Sequence, residues 1–237
     1  MTMNKDLEQL TQKLTKCFGG DLVSVVLYGS AAGEDFHTRF SDFNVLCAVR
    51  AVTPRLLEEA EPVMRWWREK GNPAPLLLSE EEVRTSTDCF PIEFHDMLER
   101  RRILYGSDVI EGLEIDESFY RAQVEHELRA KMLRLRTKAA GVLFDSSLLL
   151  KLMADSVTTF LVLARHALKL GGLPAPIAKR EITAALRASI TLDTAPLETL
   201  LDVREDKAST SLDARAVFAS YLSTITHLVD FVDGLRK

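Results

Sequence analysis

Between residues 25 and 46 the chain reads VVLYGSAAGEDFHTRFSDFNVL, a stretch whose residue types suit phosphate and metal chemistry. Gly29-Ser30 closes an apolar run. A glycine there lets the backbone turn sharply and approach a ligand closely. The neighbouring amides, the Ser30 hydroxyl and the N-terminus of a following helix can then meet phosphate oxygens. Eleven residues further on, Asp42-Phe43-Asn44 opens a second apolar run. Side chains alternate along a strand, so Asp42 and Asn44 share one face while Phe43 and Val45 share the other. The apolar pair is expected to pack inward and the oxygen pair to face a cleft, where oxygen ligands suit a hard cation such as magnesium.

Those residues need elements to hold them. Up to Gly112, short apolar runs alternate with helical patterns: 22–29, 43–49, 75–79 and 90–97 read as strands, and a helix is expected from Pro54 to Lys70. Residues 1–112 are thus expected to form an α/β domain with a small mixed sheet. From Asp116 onward the apolar period is helical, giving expected helices at about 117–141, 145–170, 177–189, 195–206 and 212–235. Residues 113–237 are accordingly expected to form an all-α helical bundle. In its last helix Phe218, Leu222, Ile225, Val229 and Val232 mark the expected core stripe.

The 237 residues include 30 Lys and Arg against 35 Asp and Glu, a net charge of -5. That balance argues against bulk nucleic-acid binding. No uninterrupted apolar run reaches the roughly 18 residues of a membrane span, so no membrane partner is expected. The polar N-terminus lacks a secretory core, and a cytoplasmic location is the expectation. Cys17, Cys47 and Cys89 are widely spaced without a CxxC pair, which points away from a disulfide framework and a cysteine zinc site. The negative surplus lies in the first half, with 13 basic and 19 acidic residues before position 112 and 17 and 16 after it.

An apolar strand, Gly-Ser, eleven residues and Asp-x-Asn closely resemble the signature of the nucleotidyltransferase (polymerase-beta-like) superfamily, in which Gly-Ser is followed by Asp-x-Asp or Asp-x-Glu. A small transferase domain followed by a helical domain is similar to the aminoglycoside adenylyltransferases. The resemblance implies transfer of a nucleoside monophosphate, AMP from ATP in the first instance, onto a hydroxyl of a small-molecule acceptor, with Mg2+ as cofactor. It implies phosphate binding at Gly29 and Ser30, and metal binding at Asp42 and Asn44. It also implies a third carboxylate on a later strand. In the run 90–97, alternation sends Ile92 and Phe94 to the core and Glu93 outward, so Glu93 is the choice, as metal ligand or as general base. Asp96, on the Ile92 side of a strand, ranks lower.

Two departures matter. Asn44 offers an amide oxygen but no charge, which keeps open the alternative of a catalytically impaired nucleotide-binding or regulatory protein of the same fold. The basic residue that relatives carry between Gly-Ser and Gly is Ala32, with Arg39 as a candidate substitute. In the first bundle helix Lys131, Arg134 and Lys138 form a basic strip beside Leu128, Met132, Leu135 and Ala139; Lys131 and Arg134 are candidate phosphate contacts, against a plain solvated face. Arg121 and His126 resemble the Arg-x4-His motif of HEPN ribonucleases, a weak match. Trp66-Trp67 reads as packing. The sequence leaves the oligomeric state open, a homodimer included.

Overall fold

The computed structural model describes residues 5–33, 43–207 and 212–235, and the chain divides into two compact units, Met1–Glu117 and Ser118–Lys237. The first unit carries a four-stranded sheet made of β1 (Leu22–Tyr28), β2 (Asn44–Val49), β3 (Leu76–Ser79) and β4 (Arg101–Gly106). Their order is β3-β2-β1-β4. β1 runs antiparallel to β2 and β4, and β2 runs parallel to β3 through α2 (Pro54–Glu69). A parallel pair needs such a crossover, and Thr53 starts it by accepting the Leu56 amide, with Pro54 in the first turn.

Helices cover both faces, so β1 and β2 are apolar on each side. One face packs Val25, Leu27, Val45 and Cys47 against α1 (Lys5–Phe18) and α2. The other packs Val26, Tyr28, Leu46 and Ala48 against α3 (Glu80–Thr85) and α4 (Pro91–Glu99). Trp67 is fully buried and donates its indole N–H to the Pro73 carbonyl at 2.9 Å, while Trp66 lies at the rim under the Lys13 ammonium.

The segment 90–97 is a helix, which corrects the expected strand. Its alternating apolar residues mimic a strand. Pro91 at the first helical position is pre-set for a helix, and Phe94 and Met97, three apart, reach the same core. The strand next in the chain is β4, at the sheet edge.

The second unit is a helical bundle of α5 (Tyr120–Ala140), α6 (Ser146–Leu170), α7 (Lys179–Ile190), α8 (Ala195–Arg204) and α9 (Ala214–Gly234), within a few residues of the expected spans. α6 is the central helix, packed by the other four. Among the described residues it alone is long and apolar enough to cross a membrane by composition. Leu149, Met153, Val157 and Leu161 are instead buried in the bundle. In α9 the buried face is rotated from the expected stripe: Tyr221, Thr224 and Leu228 are buried with Ile225, Val229 and Val232, while Phe218 and Leu222 are half-buried. Tyr221 fits the core because its hydroxyl meets Ser156 Oγ at 3.0 Å.

Candidate functional site

One end of the sheet gathers the residues of interest in the first unit. β1 ends at Tyr28, β2 begins at Asn44, and the two are direct partners in the antiparallel ladder. Phe43 and Val45 are buried on the α1/α2 face. Asn44, opposite Tyr28, therefore belongs to the α3/α4 face. Asp42, Ser41, Arg39 and His37 lie outside the described residues.

Gly29 comes directly after β1 with φ +75°, and its N–H donates to the Arg100 carbonyl at 3.0 Å. Residues Gly29–Ala32 form a single 3-10 turn, closed by Gly33 N–H on the Ser30 carbonyl at 3.4 Å. The α-helix N-terminus expected after Gly-Ser is not formed within these residues. A Cβ at Gly29 would stand 3.4 Å from Asn44 Nδ2, so the Asn44 amide lies against the turn. Gly29→Ala is expected to destabilise this unit by about 1–2 kcal/mol, the cost of a left-handed non-glycine residue, read by urea denaturation.

α4 brings carboxylates to the same end. Glu93 and Asp96 are three apart and share one side of the helix, while Phe94 and Met97 take the core. The strand-based ranking that set Asp96 aside is corrected by the helical period. Burial first, and then the negative charges of Glu93 and Asp96, hold the Tyr28 hydroxyl far above the usual phenol range. α4 also packs against the Gly29–Ala32 turn, which brings this helix to the Gly29 end of β1. His95 points elsewhere: it is buried, with Nε2 3.3 Å from Glu117 Oε1. Arg100, which caps α4, lays its guanidinium across Gly33. Sequence reasoning ranks Asp96 below Glu93 and misses Arg100; Pro91, as a helix start, is the signal that places both.

Asn44 and Glu93 supply hard oxygen donors of the kind magnesium takes. Among the described residues no three His, Cys, Asp or Glu side chains converge as a metal site.

In the second unit Lys131, Arg134 and Lys138 line one side of a cleft of about 260 Å³, faced by Asp155, Ser156 and Thr159 of α6 over a floor of Leu135 and Phe160. Lys131 is 3.3 Å from Glu127, and Asp155 is 3.3 Å from Lys151. Lys131 is thus already paired outside the cleft, and Asp155, which faces it, is engaged by Lys151. Arg121 is bound to Glu125 at 2.9 Å and to the Val232 carbonyl at 3.4 Å, whereas His126 is exposed. Five positions apart on a helix, the two point to different sides of α5.

No protein-family model matches the sequence, and no curated protein does. Solved structures of similar fold include the crystal structure of a spectinomycin adenyltransferase from Enterococcus faecialis with ATP and spectinomycin. It matches with a TM-score of 0.61 and 15% identity, over 98% of this chain and 100% of that one. At that identity the likeness is one of fold: a mixed-sheet unit followed by a helical unit.

Proposed function

We propose that this chain is a nucleotidyltransferase that moves a nucleoside monophosphate, AMP from ATP, onto a hydroxyl of a small-molecule acceptor. The observation that carries the reading is the sheet end where the Gly29 turn, the Asn44 amide and the α4 carboxylates meet. The likeness in fold to an adenyltransferase solved with ATP supports it.

In this reading the Gly29–Ser30 turn binds triphosphate oxygens through its amides and the Ser30 hydroxyl. Asp42, Asn44 and Glu93 are the residues that would hold Mg2+, which neutralises phosphate charge when bound. The acceptor oxygen forms a bond to the α-phosphorus, the bond from that phosphorus to the β-phosphate bridge breaks, and pyrophosphate leaves. The hydroxyl proton passes to the Glu93 carboxylate, which acts as the base.

Asn44 motivates a second reading, a protein of the same fold that binds nucleotide without turning it over. Pyrophosphate release from Mg-ATP, assayed with a panel of hydroxyl acceptors that includes aminoglycosides, separates the two. Turnover that stops on chelation of divalent cations is expected. ATP that raises thermal stability without being consumed favours the second reading, and no response to ATP at all removes both.

A further inference from the structure

We propose that Arg100 supplies the cation that holds the nucleotide triphosphate at the Gly29–Gly33 turn, the role left open by Ala32. This rests on the nucleotidyl-transfer reading above. Three arginines follow one another where α4 gives way to β4, and their surroundings differ. Arg101 is built into the fold: its guanidinium binds Asp108 at 2.9 Å and donates to the carbonyls of Met97 and Leu98. Arg102 pairs with Leu27 in the β1–β4 ladder and so belongs to the α1/α2 face of the sheet. Of the three, Arg100 is the one set against the turn.

Arg100 meets that turn twice. Its carbonyl accepts the Gly29 N–H at 3.0 Å, and its guanidinium covers Gly33, where a Cβ would overlap Cζ, Nε and Nη1. The two glycines are needed for different reasons. Gly29 has φ +75°, a conformation that favours glycine. Gly33 has φ -93° and ψ 176°, extended backbone that any residue adopts. At Gly33 the absent side chain therefore makes room for the guanidinium and does nothing for the backbone. The result is a planar, permanently charged donor fork held over backbone at one side of the turn, with the Asn44 amide at Gly29. A guanidinium fork matches phosphate oxygens in pairs. The arginine also brings positive charge beside Glu93 and Asp96, which alone would repel a triphosphate.

Calorimetric titration of the full chain with magnesium tripolyphosphate and, separately, with Mg-ATP tests the proposal. Arg100→Gln is expected to weaken both about 10- to 100-fold, the range for losing one hydrogen bond to a charged group, and Arg100→Lys to recover part of the loss. Gly33→Ala displaces the flexible guanidinium without straining the backbone, so it is expected to weaken binding while the ligand-free melting temperature stays at the wild-type value. Equal Mg-ATP binding by wild type and Arg100→Gln overturns the role of Arg100 and leaves the nucleotidyl-transfer reading standing. Wild-type protein that binds neither ligand overturns both. Weakening in Arg100→Gln with wild-type binding by Gly33→Ala makes Arg100 a structural part of the turn, and the proposal falls.

Discussion

Glu93→Gln is expected to lower kcat by about 10²- to 10⁴-fold, the contribution of one positioned general base, with the fold intact. The substitution keeps the shape and one ligating oxygen of the side chain and removes its charge and basicity. Glu93 is half-buried beside Met97, one helical turn on, and glutamine matches its volume, so the surrounding packing is kept. Two roles for Glu93 give different signatures. As a base, it makes the kcat loss independent of magnesium concentration, and the acid limb of the pH–rate profile disappears with it. As a metal ligand, it makes the loss recoverable in part by raising magnesium, because an amide oxygen still coordinates the cation. A variant that turns over at the wild-type rate removes Glu93 from the site and leaves Asp96, its neighbour across one helical turn, as the α4 carboxylate to test.

The strength of the local signals decides which elements are legible in the sequence. The five bundle helices run 10 to 25 residues each, long enough for the 3.6-residue period to be unambiguous, and glycines and prolines mark several of their ends. β1 and β2 are apolar on both faces and are equally clear. α4 is not, because its nine residues make two and a half turns and place apolar residues where a strand would also have them. Reading it as a strand has a chemical consequence. It keeps Glu93 as a candidate for the wrong reason, separates it from Asp96, and hides Arg100 altogether. β4 opens with two arginines at the sheet edge, where half-exposed side chains leave no apolar alternation to follow. The stripe in α9 is displaced because Tyr221 and Thr224 count as polar in a pattern yet are buried with their hydroxyls bonded, Thr224 to the carbonyls of Asp193 and Ser220.

The charge missing at Asn44 reads differently with α4 in place. Asp96 adds a carboxylate that the motif does not count, and Arg100 adds a cation that the motif expects elsewhere. The sheet end therefore carries both signs close to Gly29, the α4 carboxylates and the Arg100 guanidinium. Both arrive on one short helix and its cap, so the orientation of α4 sets the two together.

Trp67→Ala is expected to destabilise the first unit by about 3–5 kcal/mol, the cost of deleting a fully buried large aromatic side chain. Trp67 is 0% exposed, lies 6.0 Å from the Phe43 ring, and bonds the Pro73 carbonyl. The loss combines transferred surface, a cavity between α2 and β2, and a carbonyl left without its indole donor. Phe43 directly precedes Asn44, and its burial against Trp67 helps set which face the Asn44 amide takes. A register slip of one residue would exchange the faces. Trp67→Ala is thus expected to weaken nucleotide binding beyond what the unfolded fraction accounts for, whereas Trp67→Phe, which keeps an aromatic ring under Phe43, is expected to retain binding at reduced stability. Only two tryptophans occur in the chain, Trp66 and Trp67, both in the first unit, so fluorescence during urea denaturation follows this unit alone and Trp66 still reports in either variant. Trp67→Ala protein that unfolds at the wild-type urea midpoint would show that Phe43 does not depend on this contact, and the facing of Asn44 would then have to come from the β1–β2 ladder itself.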